Sequence, residues 1–105
     1  MLYLLNSPIL TTYGHYHFSG PITVEEAKNL LQEKFTSAIG HASTAELLSV
    51  LLDVPIPINR VRIEMRPGDQ ALVFRMLARV EEGKVFSREE VEKLPFELGV
   101  LERTG

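Results

Sequence analysis

Three times in this chain a hydroxyl residue stands three places before a glutamate and just ahead of good helix formers: Thr23-x-x-Glu26, Ser43-x-x-Glu46 and Ser87-x-x-Glu90. This is the capping-box pattern, in which the hydroxyl accepts from a first-turn amide and the carboxylate reaches back to the cap's own N–H. Three helix starts at fixed places leave the intervening segments to be strands and turns. In the first helix Ala27, Leu30, Leu31 and Phe35 fall on one stripe, and in the second Ala45, Leu48, Leu51 and Leu52 do the same. The third is short and stops before Pro95, because a proline disfavours helical geometry in the residue preceding it.

The segments between read as strands. Leu2–Leu5 is a short apolar run ended by Asn6-Ser7-Pro8, and 15–18 is a second strand bracketed by Gly14 and Ser19-Gly20-Pro21. The clearest β signal is 61–66, where Val61, Ile63 and Met65 alternate with Arg62, Glu64 and Arg66. Pro67-Gly68-Asp69 then turns the chain into a long strand over 71–80, Glu81-Glu82-Gly83 turns it again, and a last short strand covers 97–102. The order strand, strand, helix, helix, strand, strand, helix, strand predicts an α/β (α+β) fold: a single domain over 1–105 with a mixed sheet flanked by helices. A chain of 105 residues with a 45% apolar share suits one such core.

Charge narrows the partners. The net charge of −3 argues against coating long duplex nucleic acid, which is carried by counterion release from many basic contacts. Yet between Arg60 and Arg88 seven basic residues face four acidic ones, so that segment is +3 and the remainder −6. A local basic surface on an acidic chain fits a small anionic ligand, or simply an arginine-rich solvated sheet face. No apolar run approaches the ~20 residues that cross a bilayer, and MLYLL has neither a basic start nor a small-residue cleavage site. With no cysteine there is no disulfide or zinc–thiolate framework, so a cytoplasmic location is expected.

The most informative stretch is 37–44, Ser-Ala-Ile-Gly-His-Ala-Ser-Thr. His41 follows Gly40 in the turn that opens the second helix, where unpaired N–H groups and the dipole's positive end form a phosphate seat. Ser43 and Thr44 add hydroxyl donors there. Arg75 and Arg79, four apart on a strand, share a face, and guanidinium forks suit phosphate oxygens. Glu82, in the turn beyond, is able to orient an arginine or a histidine, or to serve only as turn solvation. Asn59-Arg60 follows the stiff Pro55-x-Pro57, Arg60 and Arg62 sharing strand parity, and Asn6-Ser7 ends the first strand, where polar side chains often line a cleft. His15-x-His17, even with His41, lacks carboxylates and thiolates at ligand spacing, so no metal or other cofactor is expected.

Taken in order, Asn6-Ser7, Ser37-Ala38-Ile39-Gly40-His41-x-Ser43-Thr44, Asn59-Arg60 and Arg79-x-x-Glu82-Gly83-Lys84 resemble the viral ring nucleases. These are type III anti-CRISPR proteins of archaeal viruses, with bacterial and phage relatives, and the resemblance spans roughly residues 3–103. It implies a metal-independent homodimer that binds cyclic tetra-adenylate across its two-fold axis and cuts it to linear di-adenylate. It also implies roles: His41 as general acid, Arg79 stabilising charge on the phosphorane, and Glu82 holding Arg79 or His41. Asn6, Ser7, Gly40, Ser43, Thr44, Arg60 and Arg75 would grip the ligand. The alternatives are a non-catalytic sponge or sensor for a cyclic nucleotide, and a DNA- or protein-binding viral or mobile-element protein. Whether the chain serves a virus or a host's own off-switch is open.

Overall fold

Strand β1 (Leu2–Asn6) sits between two parallel neighbours, β3 (Phe35–Ser37) on one side and β4 (Gln70–Met76) on the other. Beyond β4 the sheet turns antiparallel through β5 (Phe96–Arg103) to β2 (Tyr16–Ser19), giving the order β2-β5-β4-β1-β3. The computed structural model describes residues 1–7, 12–77 and 87–105. Among these, three helices complete the fold: α1 (Val24–Leu30), α2 (Ala42–Leu52) and α3 (Arg88–Glu92). The mixed sheet with helices is the architecture expected from the sequence.

Alternation along the strands divides the core in two. Leu2, Leu4, Leu72, Phe74 and Leu98 point toward the helices and pack with Ala27, Val91 and the buried stripe of α2. Leu5, Ala71, Val73 and Leu101 point to the opposite face, which carries no helix among the described residues. That face is closed instead by the segment 61–66, with Met65 buried and Ile63 packed beside it.

This corrects the expected strand at 61–66. The segment is not one of the five described strands of the sheet; it lies as an extended strap across the sheet face. Period-two alternation reports an extended chain with one buried side, and a sheet face buries that side as well as a neighbouring strand does. Phe35 is also reassigned. Helix α1 ends at Leu30 and Phe35 opens β3, a three-residue strand too short to show any alternation. The remaining strands lie within a residue or two of expectation, β4 starting at Gln70; residues 78–80 of the expected 71–80 strand, and the 81–83 turn, lie outside the described residues.

The edge of β3 is covered by the returning chain. Ser37 Oγ donates to the Pro57 carbonyl at 2.8 Å, Asn59 Nδ2 donates to the Ser37 carbonyl at 2.8 Å, and the Asn59 N–H donates to the Ile39 carbonyl at 2.7 Å. Residues 57–59 therefore run beside β3 and occupy hydrogen-bonding groups that an open edge would offer to another chain. From there the strap crosses to the 66–69 turn, where Asp69 Oδ2 accepts from the Arg66 N–H at 2.9 Å. That bond holds the Asp69 carboxyl below its ordinary range; partial burial opposes it, and the Met1 amino group at 3.3 Å assists it.

Candidate functional site

Because β1, β3 and β4 are parallel, their carboxyl ends lie along one edge of the sheet, and β2, antiparallel to β5, ends there too. In open α/β sheets this is the edge where connections diverge and a crevice forms. Asn6 and Ser7 leave β1 there. The Ser7 N–H donates to the Phe74 carbonyl at 3.0 Å, and Ser7 then turns to φ 84°, a conformation uncommon for a residue with a side chain. Ser7 is exposed, and with Leu5, Asn6, Ala38, Val61 and Arg62 it lines a 220 Å3 cleft between β1, the β3–α2 loop and the strap.

The β3–α2 loop carries the rest. The Ala38 N–H still donates to the Leu4 carbonyl at 2.9 Å, and Ile39 is fully buried, so the chain is anchored immediately before Gly40 and His41. His41, not Ser43, is the N-cap of α2. Its carbonyl accepts from Ala45 at 3.0 Å, but its side chain caps nothing and remains exposed. Ser43 and Thr44 are therefore in the helix's first turn, half-buried, and the expected Ser43–Glu46 box does not form. The other two boxes do: Thr23 with Glu26 and Ser87 with Glu90 satisfy both hydrogen bonds of the motif. The first turns of α1 and α3 also carry two glutamates each, whereas that of α2 carries no acid. The positive end of α2 is left uncompensated by its own side chains, as suits an anion seat.

Packing explains how α2 tolerates this. A missing cap costs about 1 kcal/mol, while each buried leucine contributes about 1.5–3 kcal/mol, and Leu47, Leu48, Leu51 and Leu52 are all buried. Tertiary burial decides the helix, and its first turn is free for other work.

Arg60 is drawn to the same place. Its Nε donates to the Gly40 carbonyl at 2.7 Å, and a Cβ added at Gly40 would lie 3.0 Å from Arg60 Cγ. Glycine is what lets the arginine stem fold over the loop. Arg60 is exposed, with only Nε committed to that bond. Arg62 reaches the cleft from the strap.

Asn6, Ser7, Gly40, His41, Ser43, Thr44 and Arg60 thus come to one edge of the sheet. Arg75 stands on β4, one residue past the acceptor of Ser7, but on the far side of β1 in a separate cleft with Phe18 and Glu97. Arg79 and Glu82 lie outside the described residues. His15 and His17 belong to the β2 edge and His41 to the β3 edge, about 19 Å apart at four strand spacings, so these histidines are not gathered. Sequence reasoning missed the structural part of Asn59, which ties the strap to Ser37 and Ile39, and left open which of Arg60 and Arg62 reaches a ligand. Only the amide side chain following Pro55-x-Pro57 hinted at the former.

Comparison with known proteins places this arrangement in a family. The chain matches the STIV B116-like family over residues 2–98. It is 40% identical over 107 residues to uncharacterized protein 26 of Sulfolobus islandicus filamentous virus (isolate Iceland/Hveragerdi), covering 97% of this chain and 91% of that one. It is also 31% identical over 102 residues to the uncharacterized protein YddF of Bacillus subtilis (strain 168), covering 94% of each. Among solved structures its fold is similar to B116 of Sulfolobus turreted icosahedral virus, with a TM-score of 0.86 at 24% identity over 97% of this chain and 98% of the other. The chain belongs to the STIV B116-like family, and the proteins similar to it come from archaeal viruses and also from a bacterium.

Proposed function

We propose that this member of the STIV B116-like family is a metal-independent ring nuclease that opens cyclic tetra-adenylate, acting as a homodimer in the cytoplasm of the host cell. The observation that carries the reading is the convergence of Asn6, Ser7, Gly40, His41, Ser43, Thr44 and Arg60 on one sheet edge. These positions are scattered along the sequence, and they are the ones at which the chain resembles the viral ring nucleases. A second support is chemical. The first turn of α2 offers backbone N–H groups with no acid beside them, next to an exposed imidazole and a guanidinium, a set matched to a phosphodiester.

In the proposed reaction a ribose 2′-hydroxyl attacks the adjacent phosphorus in line and loses its proton to water, the bond to the 5′-oxygen breaks, and a 2′,3′-cyclic phosphate remains. The α2 amides with Ser43 and Thr44 hold the phosphate, Arg60 and the Asn6–Ser7 turn fix the ribose and its neighbours, and His41 gives a proton to the departing 5′-oxygen. Holding the 2′-hydroxyl in line supplies much of the acceleration, and a general acid adds ~10²–10⁴-fold. Arg79 and Glu82 keep the parts the resemblance gives them, charge stabilisation and orientation. A two-fold dimer presents the same set to opposite linkages of a four-phosphate ring.

The test is incubation of radiolabelled cyclic tetra-adenylate with the protein in EDTA, beside His41→Ala. The reading expects linear di-adenylate from the wild type and a loss of about 100-fold or more in the variant. A ring that stays intact but comigrates with both proteins would make the chain a sponge, and no binding at all would remove the reading.

A further inference from the structure

The two ends of the sheet are treated differently by the fold. At one end, residues 57–59 run along the outer side of β3 and occupy its hydrogen-bonding groups. At the other, β2 pairs with β5, and among the described residues its outer side has no backbone partner. His15 directs its N–H to the Gly105 carbonyl, and its own carbonyl accepts from Thr104. By the alternation of an antiparallel ladder, Tyr16 and Phe18 then turn their N–H and C=O groups outward. Edge strands are ordinarily guarded by a lysine, a proline or a bulge, and Tyr16–Ser19 contains none of these.

Beside that edge lies a groove of 380 Å3 between α1 and β5. Ile22, Leu30 and Val100 give it apolar walls, and Glu26, Asn29 and Glu33 supply its polar groups. Val100 shares the face of Leu98, the side of the sheet that carries the helices. Residues 26, 29, 30 and 33 form one helical stripe. Turns carry it past the end of α1, the Gln32 and Glu33 N–H groups donating to the Asn29 and Leu30 carbonyls at 3.3 Å. Glu26 gives one carboxylate oxygen to its capping box, and Glu33, exposed, makes no ion pair among the described residues. We infer that β2 is a docking edge for an extended segment of another protein, and that this segment carries a lysine or arginine whose side chain enters the groove. Apolar walls with two carboxylates match an aliphatic stem that ends in a cation. Strand addition draws affinity from main-chain hydrogen bonds and specificity from pockets that take alternate side chains. The register connects pocket to edge. Ser19 is paired with Val100 and shares its face, and its small side chain leaves the groove open toward the edge. A residue added opposite Ser19 projects over that same face. A second copy of β2 does not fit the role, because Tyr16–Ser19 has no lysine or arginine to offer.

The test is titration of the full-length, 15N-labelled chain with a capped synthetic peptide of threonines and valines bearing one central lysine, read by amide shifts. Shifts are expected at 16–19 and at Val100, with slower hydrogen exchange at the Tyr16 and Phe18 amides. A double variant, Glu26→Gln with Glu33→Gln, keeps the capping box, which works with either residue, and should bind about tenfold more weakly. The same peptide with norleucine in place of lysine should bind the wild type about tenfold more weakly and no longer distinguish it from the variant. Undisturbed amides at 16–19 with millimolar lysine peptide, or equal affinity of that peptide for wild type and double variant, would overturn the inference. So would protection of the Tyr16 and Phe18 amides without peptide that is lost on dilution, because the edge would then hold a second copy of the chain.

Discussion

Ser37 is the buried polar residue on which the site's geometry hangs. It is 3% exposed, its hydroxyl donates to Pro57, and it accepts from the Ile39 N–H at 3.3 Å. Ser37→Ala leaves the buried Ile39 amide and the part-buried Pro57 carbonyl without these partners, and the expected loss is about 1–3 kcal/mol in urea denaturation; an unchanged midpoint would mean the 57–59 strap holds without it. Asp69 gives the pH dependence. Its carboxyl is held low in the fold by the Arg66 N–H, so the stability it contributes is complete above the ordinary carboxylate range and is lost as pH falls through the folded value. Urea midpoints of the wild type should fall more steeply than those of Asp69→Asn between about pH 4 and pH 2. At this scale the sequence was legible where one residue's chemistry is local. Gly40-His41 could be placed at a helix start from its neighbours alone, whereas the function of Ser37 and Asn59 depends on a strap returning twenty residues later.

The helices separate stability from activity. Thr23 and Ser87 cap α1 and α3 with complete boxes, while the α2 cap position is given to a histidine whose side chain caps nothing. His41→Asp puts an acceptor at the positive end of α2 and should stabilise the chain by about 1 kcal/mol, raising Tm by roughly 4–8 °C, while abolishing any activity that needs the imidazole. A fall in Tm would show that α2 does not begin at His41. Opposed changes of this kind mark a position kept for function at some cost to the fold. Two elements were misread for one reason. Alternation in 61–66 and the apolar stripe ending at Phe35 report which side chains are buried, and burial alone does not say whether the covering surface is a neighbouring strand, a sheet face or a helix. The capping boxes at Thr23 and Ser87 were legible because they are self-contained; Ser43-x-x-Glu46 has the same letters but starts two residues past the cap, inside the first turn of a helix that burial had already positioned.

At the scale of the molecule, the parallel set β3-β1-β4 is what makes a site from distant segments, since it delivers Asn6–Ser7, the Gly40–Thr44 turn and the end of β4 to one edge. No sequence pattern announced that strand order. It follows from β1 pairing on both sides, a choice made by the whole core. Among the described residues no helix is long and apolar enough to cross a bilayer. In the proposed reaction this edge drives attack by the substrate's own 2′-hydroxyl, with no metal. The most direct measurement is the single-turnover rate, in EDTA, on cyclic tetra-adenylate and on the same ring with every 2′-hydroxyl replaced by hydrogen. Both rings are expected to bind, and only the ribose ring to open, leaving a 2′,3′-cyclic phosphate. Opening of the deoxy ring at a comparable rate would contradict it, because the nucleophile would then have to be water.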